Sequence, residues 1–303
     1  MNDQAQRLRD LVRDRTFPVK CTGRVAASGD TGRFPGCVAV TSGKGGVGKS
    51  NIALLIASSL GSAGKRVLLL DADLGLANVH IILGIAPRKT LADVVDGTAT
   101  LESIITSTDS GFDLIPGASG IEKLANLECG KFLALRNDFM LLEKRYDELI
   151  IDTGAGIGSV VTGFVLAADV AIVVMTPEPT SLADAYAMVK VLSERNAQRI
   201  GIVVNMVRSD REGVETFDRL NALVVKFLRR SVEHCGTLPY YKAVAEAVRM
   251  QRFRALVKEN SILAQRIQMV SKRLCGVKVQ KKAGFFESLL GKENIVNNGC
   301  EGI

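Results

Sequence analysis

The chain has 303 residues, of which 47% are hydrophobic and 23% charged, so it can bury a sizeable core and is not disordered throughout. Aromatic residues make up only 5%, with no Trp, which argues against a carbohydrate-binding cleft or a platform for stacking bases. The net charge of +7 is concentrated in residues 249–292, which hold eleven basic and two acidic residues and suit an anionic membrane or nucleic acid.

The six cysteines are widely separated and there are only two histidines, which argues against a zinc site or a disulfide framework. Residues 1–20 lack the apolar core of a signal peptide, and the longest apolar run, Phe164–Met175, is too short to span a bilayer. We therefore expect a cytoplasmic protein.

Short apolar runs alternate with helical patterns between Cys37 and about Met250. The predicted strands are Cys37–Thr41, Arg66–Leu70, Phe112–Ile115, Glu148–Ile151, Val170–Met175, Ile200–Val204 and Cys235–Leu238. The predicted helices between them are Asn51–Ser62, Lys131–Lys144, Ser181–Arg195 and Gly213–Arg230, and a basic helical pattern follows at Arg252–Leu274. Strands that are apolar on both faces and alternate with helices indicate a doubly wound α/β fold, whose mostly parallel sheet carries helices on both faces.

The same pattern divides the chain into three parts. Residues 1–36 are predicted to form a short amphipathic helix and a flexible connector, which is rich in Gly, Ser and Thr. Residues 37–250 are predicted to form the α/β domain, and residues 251–303 a set of basic C-terminal helices.

The strongest motif is a phosphate-binding loop between the first predicted strand and the first predicted helix. It matches the pattern GxxxxGK[ST], in which glycines let backbone N–H groups face the phosphates and the helix N-terminus adds partial positive charge. Lys49 is predicted to reach the β- and γ-phosphates of ATP, and Ser50 to bind Mg²⁺. The residues predicted to contact the nucleotide here are Gly43, Lys44, Gly45, Gly46, Val47, Gly48, Lys49, Ser50 and Asn51.

Two apolar strands end in carboxylates at the sheet edge where this loop is expected. Asp71 and Asp73 are two residues apart and share a face, and Asp152 ends the strand Glu148–Ile151 in the form of a Walker B segment. Such carboxylates hold Mg²⁺ in P-loop enzymes. We therefore predict Asp71 and Asp152 as metal-site residues beside Ser50. For Asp71 and Asp73, the alternative is that they are ordinary strand-end caps.

A second lysine, Lys44, makes the loop resemble the KGGxxGK loop of the dimerising P-loop ATPases of the MinD/ParA class. The alternative is a solvated loop charge. The resemblance implies a Mg²⁺-dependent ATPase that binds ATP as a homodimer, in which Lys44 stabilises negative charge on the partner's nucleotide. It also implies that the catalytic residues are Lys44, Lys49 and Asp73, with Asp73 orienting the attacking water.

Three further residues are predicted to lie near the adenine base. Asn205 follows the strand Ile200–Val204, and its amide offers the donor and the acceptor that adenine requires. Arg208 is predicted to pack over the base, and Pro239 belongs to a turn that resembles the base-flanking segment of this class. The class often has Asp two residues after this Pro, where this chain has Tyr241. A turn Asn and an exposed loop Arg are the alternatives.

Within that class, three segments resemble the flagellar-number regulators of the FlhG (FleN, YlxH) family: Asp71–His80, Leu114–Gly120 and Leu124–Leu127. The N-terminus adds the DQAxxLR element of that family, in Asp3, Gln4, Ala5, Leu8 and Arg9. There the element docks on the GTPase FlhF and stimulates its hydrolysis, so the resemblance implies an FlhF-type GTPase as a partner. It also implies a flagellar transcription regulator or switch component as a partner. A frayed basic terminus is the alternative.

A helical pattern near the C-terminus places four apolar residues on one face, with lysines at both ends. They are Phe285, Phe286, Leu289 and Leu290. Such a face suits a short membrane-targeting helix on anionic lipid, and the resemblance implies that it is released when ATP drives dimerisation. We therefore expect peripheral association with the inner face of the cell membrane. The alternative is that this helix folds back on the domain.

The resemblance implies an ATPase switch that regulates flagellar number or placement. Alternatives are a MinD-type positioning ATPase for another cargo, a ParA-type partition ATPase bound to DNA through the basic region, and a regulator that uses ATP only to dimerise. Direct nucleic-acid binding is not expected. Iron–sulfur members of the class need closely placed cysteines, and the six cysteines of this chain lie far apart.

Overall fold

A sheet of eight strands organises the described part of the chain. The computed structural model describes residues 36–73, 78–117, 137–197, 199–253, 256, 261–274 and 285–290. The strands are β1 (Gly36–Ser42), β2 (Val67–Ala72), β3 (Thr106–Ser107), β4 (Asp113–Ile115), β5 (Glu148–Ala155), β6 (Val170–Met175), β7 (Ile200–Val207) and β8 (Glu233–Pro239). Their spatial order is β3-β4-β2-β5-β1-β6-β7-β8, and every neighbouring pair is parallel except β3 with β4.

Helices connect the strands and follow the last of them. They are α1 (Lys49–Ser62), α2 (Val79–Leu83), α3 (Leu91–Val95), α4 (Leu101–Ile104), α5 (Ser159–Ala167), α6 (Pro179–Glu194), α7 (Asp210–Leu228), α8 (Lys242–Arg249), α9 (Ile262–Leu274) and α10 (Phe285–Leu290). Residues 137–143 are also helical. No helix in the described ranges is both long and apolar enough to cross a membrane.

The predicted doubly wound parallel sheet is confirmed, with all seven predicted strands present and parallel. The antiparallel edge strand β3 was not predicted, because two residues are too few to show a period. The apolar run Phe164–Met175 is divided between the end of α5 and all of β6. The helix predicted over Lys131–Lys144 is present at residues 137–143, and its earlier part lies outside the described residues.

Two apolar cores lie on opposite faces of the sheet, because successive strand residues point to opposite sides. In β1, Cys37 and Ala39 face the first core, whereas Val38 and Val40 face the second. Helices α3, α4, α5, α6, α7 and α10 contribute to the first core, and α1, α2, α8 and α9 contribute to the second. Burial on both faces explains why the strand sequences are apolar throughout.

The C-terminal helices pack on the domain. Helix α9 lies against α1 and β8, and α10 lies against α5 on the other face. Arg266 and Arg273 of α9 donate side-chain hydrogen bonds to the carbonyls of Thr237 and His234 in β8. Strand β8 has only β7 as a neighbour in the described sheet, so these two arginines satisfy carbonyl groups at its outer edge.

Candidate functional site

The phosphate-binding loop lies between β1 and α1, at the carboxyl edge of the parallel strands. Gly46 and Gly48 have φ values of 80° and 88°, in the left-handed region that favours glycine. A side chain at Gly43 would collide with the backbone of Asp184 in α6. The N-cap residue of α1 is Gly48, which has no side chain to cap the helix, so it does not compete with an anion for the first N–H groups. The backbone therefore has the form that the motif predicts.

Lys49 and Asp152 form a buried ion pair at the base of this loop. Their Nζ and Oδ1 atoms are 2.8 Å apart, and the side chains are 8% and 1% exposed. The same Nζ lies 3.3 Å from the hydroxyl of Ser50. The lysine is thus held by Asp152, which lies within β5 rather than at the predicted strand end. An arriving phosphate would compete with Asp152 for this ammonium group.

Three carboxylates lie close together near the carboxyl edge of the sheet: Asp71 is within β2, Asp73 directly follows β2, and Asp152 is within β5. Asp71 and Asp152 are register partners in the two paired strands. Asp71 is fully buried and accepts hydrogen bonds from the backbone N–H groups of Asp73 (3.2 Å) and Val79 (3.3 Å). Asp73 is half-buried and faces Gly154, where an added Cβ would lie 3.5 Å from its Oδ1 atom.

Burial makes the negative charge of two of these groups costly. Burial, and then the neighbouring Asp152, raises the pKa of Asp71 to about 7. Burial also raises the pKa of Asp152, and the Lys49 ammonium group offsets this only in part. A cation placed here would stabilise both carboxylates in their charged form.

The donor set suits Mg²⁺, which prefers oxygen ligands and is usually bound by one or two carboxylates together with substrate phosphates. Asp71, Asp152 and the Ser50 hydroxyl provide such oxygens. Among the described residues, no group of three or more His, Cys, Asp or Glu side chains is placed to hold a metal by itself. The site therefore fits an ion whose coordination a nucleotide completes.

Lys44 is held within its own chain. Its Nζ lies 3.0 Å from the Glu178 carboxylate and 3.2 Å from the Thr180 hydroxyl, both at the start of α6. Its side chain is 41% exposed, so solvent weakens this ion pair. Glu178 and Thr180 were not predicted as site residues from the sequence. The available signal was their position, directly after the apolar strand β6 and therefore at the same sheet edge.

The residues predicted to contact the base lie at this edge, but Asn205 contacts the loop itself. Its Nδ2 atom donates a hydrogen bond to the carbonyl of Val47, at 2.9 Å. Pro239 ends β8 and is the register partner of Val207. Arg208 is exposed, and its backbone N–H donates to the Glu212 carboxylate. The adenine contacts of Asn205, Arg208 and Pro239 remain predictions.

The apolar face predicted for the membrane is partly docked on the domain. Phe285 is 3% exposed, and its ring lies 6.4 Å from that of Phe164 in α5. Leu289 is partly buried against the same core. Phe285 and Leu289 therefore follow the alternative given above, in which this helix folds back on the domain. The side chains of Phe286 and Leu290 lie outside what the structure describes, as do the N-terminal residues Asp3, Gln4, Ala5, Leu8 and Arg9.

Comparison with known proteins places this geometry in a family. The family described as the CobQ/CobB/MinD/ParA nucleotide binding domain matches residues 38–252. The antiactivator FleN of Pseudomonas aeruginosa is 40% identical over 71% of this chain and 77% of its own length. The flagellum site-determining protein YlxH of Helicobacter pylori is 33% identical over 96% of this chain and 99% of its own length.

A solved structure agrees with these matches. The septum site-determining protein MinD of Pyrococcus horikoshii, complexed with Mg-ADP, superposes with a TM-score of 0.63. It is 26% identical in sequence, and the match covers 81% of this chain and 99% of that one. The loop and the carboxylates therefore belong to a nucleotide-binding ATPase domain of the MinD/ParA type.

Proposed function

Because this chain belongs to the FleN and YlxH family of MinD/ParA-type nucleotide-binding proteins, we propose that it is an ATP-dependent dimerising switch that regulates flagellar number or placement. The observation that carries the proposal is the buried Lys49–Asp152 pair beneath a glycine loop, with Asp71 in register beside it. In this arrangement the lysine ammonium group can bind phosphate, and the two carboxylates can bind a metal ion. The reaction is the conversion of ATP and water to ADP and phosphate.

Each group at the site has a separate task in this reaction. The loop N–H groups bind the phosphates, and the Lys49 ammonium group moves from Asp152 to the β- and γ-phosphates. Asp152, Asp71 and the Ser50 hydroxyl would hold Mg²⁺, and the ion would supply positive charge to neutralise the phosphate oxygens. Asp73 lies at the same edge and orients the attacking water.

Lys44 completes the site from a second subunit. Its ammonium group leaves Glu178 and Thr180 and stabilises the transferring phosphate of the partner's ATP. The exposed pair with Glu178 is weak, so its loss offers little resistance to dimerisation. Hydrolysis then depends on assembly, and the dimer lasts as long as its ATP.

The docked helix α10 represents the state before release. Phe285 and Leu289 pack on the first core and are unavailable to lipid while they remain there. Release in the ATP dimer would present two such helices to an anionic inner membrane surface. One short helix binds lipid weakly, and two in one dimer bind far more strongly through avidity. The N-terminal element is proposed to engage an FlhF-type GTPase, and a flagellar transcription regulator or switch component is a further proposed partner.

The trans role of Lys44 can be tested by complementation. Phosphate release is measured for wild type, for Lys44→Ala and for Asp73→Ala, and then for an equal mixture of the two variants. Each variant alone should be inactive, and the mixture should regain about a quarter of the wild-type rate, because half of the dimers are mixed and each has one intact site. The exposed Arg211→Ala serves as a control with unchanged activity. A mixture that stays inactive would show that Lys44 acts within its own subunit.

The membrane role is tested with the Asp73→Ala protein, which should hold ATP without hydrolysing it. Its co-sedimentation with vesicles containing anionic phosphatidylglycerol is measured with ATP and with ADP, beside a truncation lacking residues 281–303. Binding that requires both ATP and these residues is expected. Retention of duplex DNA with ATP, without vesicle binding, would instead indicate a DNA-bound partition ATPase that uses the basic region 249–292.

A further inference from the structure

Helix α5 begins beside the candidate phosphate site. It follows β5 after three residues, of which Gly156 donates a backbone hydrogen bond to the carbonyl of Ser42, at 2.8 Å, directly before the phosphate loop. Gly154 lies where two side chains meet, because a Cβ built on it would be 3.4 Å from Cγ2 of Val161 and 3.5 Å from Oδ1 of Asp73. The start of α5 therefore contacts the backbone beside the carboxylate that is proposed to orient the attacking water.

The same helix also holds the docked helix α10. Phe164 of α5 is 2% exposed, and its ring packs on that of Phe285 with the ring centres 6.4 Å apart. Val161 and Phe164 are three residues apart, so their side chains are neighbours on one face of α5. Two adjacent side chains thus lie between Gly154 at the phosphate site and Phe285 of α10.

Hydrogen bonds join the first turn of α5 to the segment that precedes it. The side chain of Thr162 is buried, and its hydroxyl donates a bifurcated hydrogen bond to the carbonyls of Gly158 and Ser159, both at 3.1 Å. This hydroxyl also accepts a hydrogen bond from Nη1 of Arg195, at the end of α6. The segment after β5 and the first turn of α5 are therefore bonded to each other, so a displacement of one is carried to the other.

We propose that α5 couples the nucleotide site to α10 through Val161 and Phe164. A γ-phosphate bound beside Gly154 repositions this backbone, and Val161 moves with it because the two are in contact. Phe164 follows on the same face, and a close-packed contact such as that with Phe285 is lost on a small shift. The inference rests on the proposed function, because it needs ATP on the phosphate loop. It adds the element that transmits the change, and it requires bound ATP and docked α10 to weaken each other by the same factor.

A tryptophan introduced into α10 can report docking, because the chain has none of its own. Leu289→Trp places the indole on the face that packs on the first core, so its emission should shift to the red when the helix leaves. This reporter chain is titrated, without lipid, with Mg-ADP and with the non-hydrolysable Mg-adenylyl imidodiphosphate. The analogue should shift the emission to the red, and ADP should leave it unchanged.

Val161→Ala in the reporter chain removes the contact with Gly154. It should bind the analogue within about twofold of the parent affinity, but the change in the docking equilibrium should fall from about tenfold or more to less than about threefold. Val189→Ala makes the same truncation at a buried valine of α6, in the same core, and should keep the full change. A Val161→Ala chain that keeps the full change would overturn the inference.

Nucleotide affinity, measured by titration calorimetry, tests the coupling from the other side. Removal of residues 281–303 should tighten binding of the analogue by the factor with which the analogue undocks α10, and should leave ADP affinity unchanged. In a Val161→Ala chain the same truncation should have no effect. An equal effect with and without Val161 would show that the coupling bypasses α5. A parent chain that binds the analogue but shows no coupling would overturn the inference alone, whereas a parent chain that binds neither nucleotide would overturn the proposed function.

Discussion

The docking of helix α10 can be reversed by a substitution on the domain side of the contact. Phe285 is buried and pairs with the ring of Phe164. Burial of a Phe side chain contributes about 1.5–3 kcal/mol, and an aromatic pair adds about 0.5–1.5 kcal/mol. Phe164→Ala removes the pair and part of that burial, which amounts to roughly 2 kcal/mol. The ratio of undocked to docked helix should therefore rise about 30-fold.

The assay is vesicle co-sedimentation without nucleotide, using the same phosphatidylglycerol vesicles. Phe164→Ala should increase the bound fraction, because it releases α10 and leaves the helix intact. Phe285→Ala should decrease binding with or without ATP, because it removes a residue that would enter the lipid. Met188→Ala, which truncates the same core within α6, controls for general loosening of the domain. Thermal unfolding confirms that each variant is folded.

Docking of α10 predicts that Phe164→Ala and Phe285→Ala change vesicle binding in opposite directions. If both variants change binding in the same direction, or if Met188→Ala raises it as much as Phe164→Ala does, docking does not control access to the membrane. General destabilisation would then account for the result.

The pKa of Asp71 is raised in the folded protein, so the folded state retains a proton that the unfolded chain releases, and stability should fall between about pH 4 and pH 7 by at most about 4 kcal/mol. In urea unfolding without nucleotide or metal, Asp71→Asn should flatten this fall, and an unchanged slope would contradict the burial argument. Lys49→Met should abolish ATP binding in calorimetry and cost roughly 3 kcal/mol of unfolding free energy, because it leaves Asp152 buried without its partner. Adding Asp152→Asn to Lys49→Met should recover most of the unfolding free energy but no ATP binding. If the unfolding free energy is not recovered, the unpaired Asp152 is not the cause of its loss. Arg266→Ala should lower the unfolding free energy by about 1 kcal/mol without changing ATP affinity, whereas Arg211→Ala, which loses only an exposed pair, should stay within about 0.5 kcal/mol of wild type.

Local pattern was sufficient for the frame of the domain. The seven parallel strands could be predicted because buried strands need apolar residues on both faces, and this requirement is visible in each short run. The phosphate loop could be predicted because its glycines and Lys49 have fixed spacing between a strand and a helix. Asp71 and Asp152 followed from the rule that parallel strands end at one edge, and the structure does pair them in register.

Contacts between residues far apart in sequence were decided only by the tertiary structure. Lys44 is paired with Glu178, Asn205 is bonded to Val47, and Phe285 lies on Phe164. Each partner lies more than a hundred residues away, and no local period identifies it. The positive φ of Met206 likewise arises from how β7 pairs with β8, which the strand sequence does not reveal.

One physical reason explains why the sequence predicted some of these features and only the tertiary structure decided the others. Secondary structure and loop geometry depend on residues within a few positions of one another, so the amino-acid sequence determines the sheet and the phosphate loop almost directly. The partner of an exposed lysine or a short amphipathic helix depends instead on small free-energy differences between alternatives, such as lipid or the first core for α10. The sequence allowed both alternatives for Phe285, and only the packed structure, in which it lies on Phe164, showed which one the isolated chain adopts.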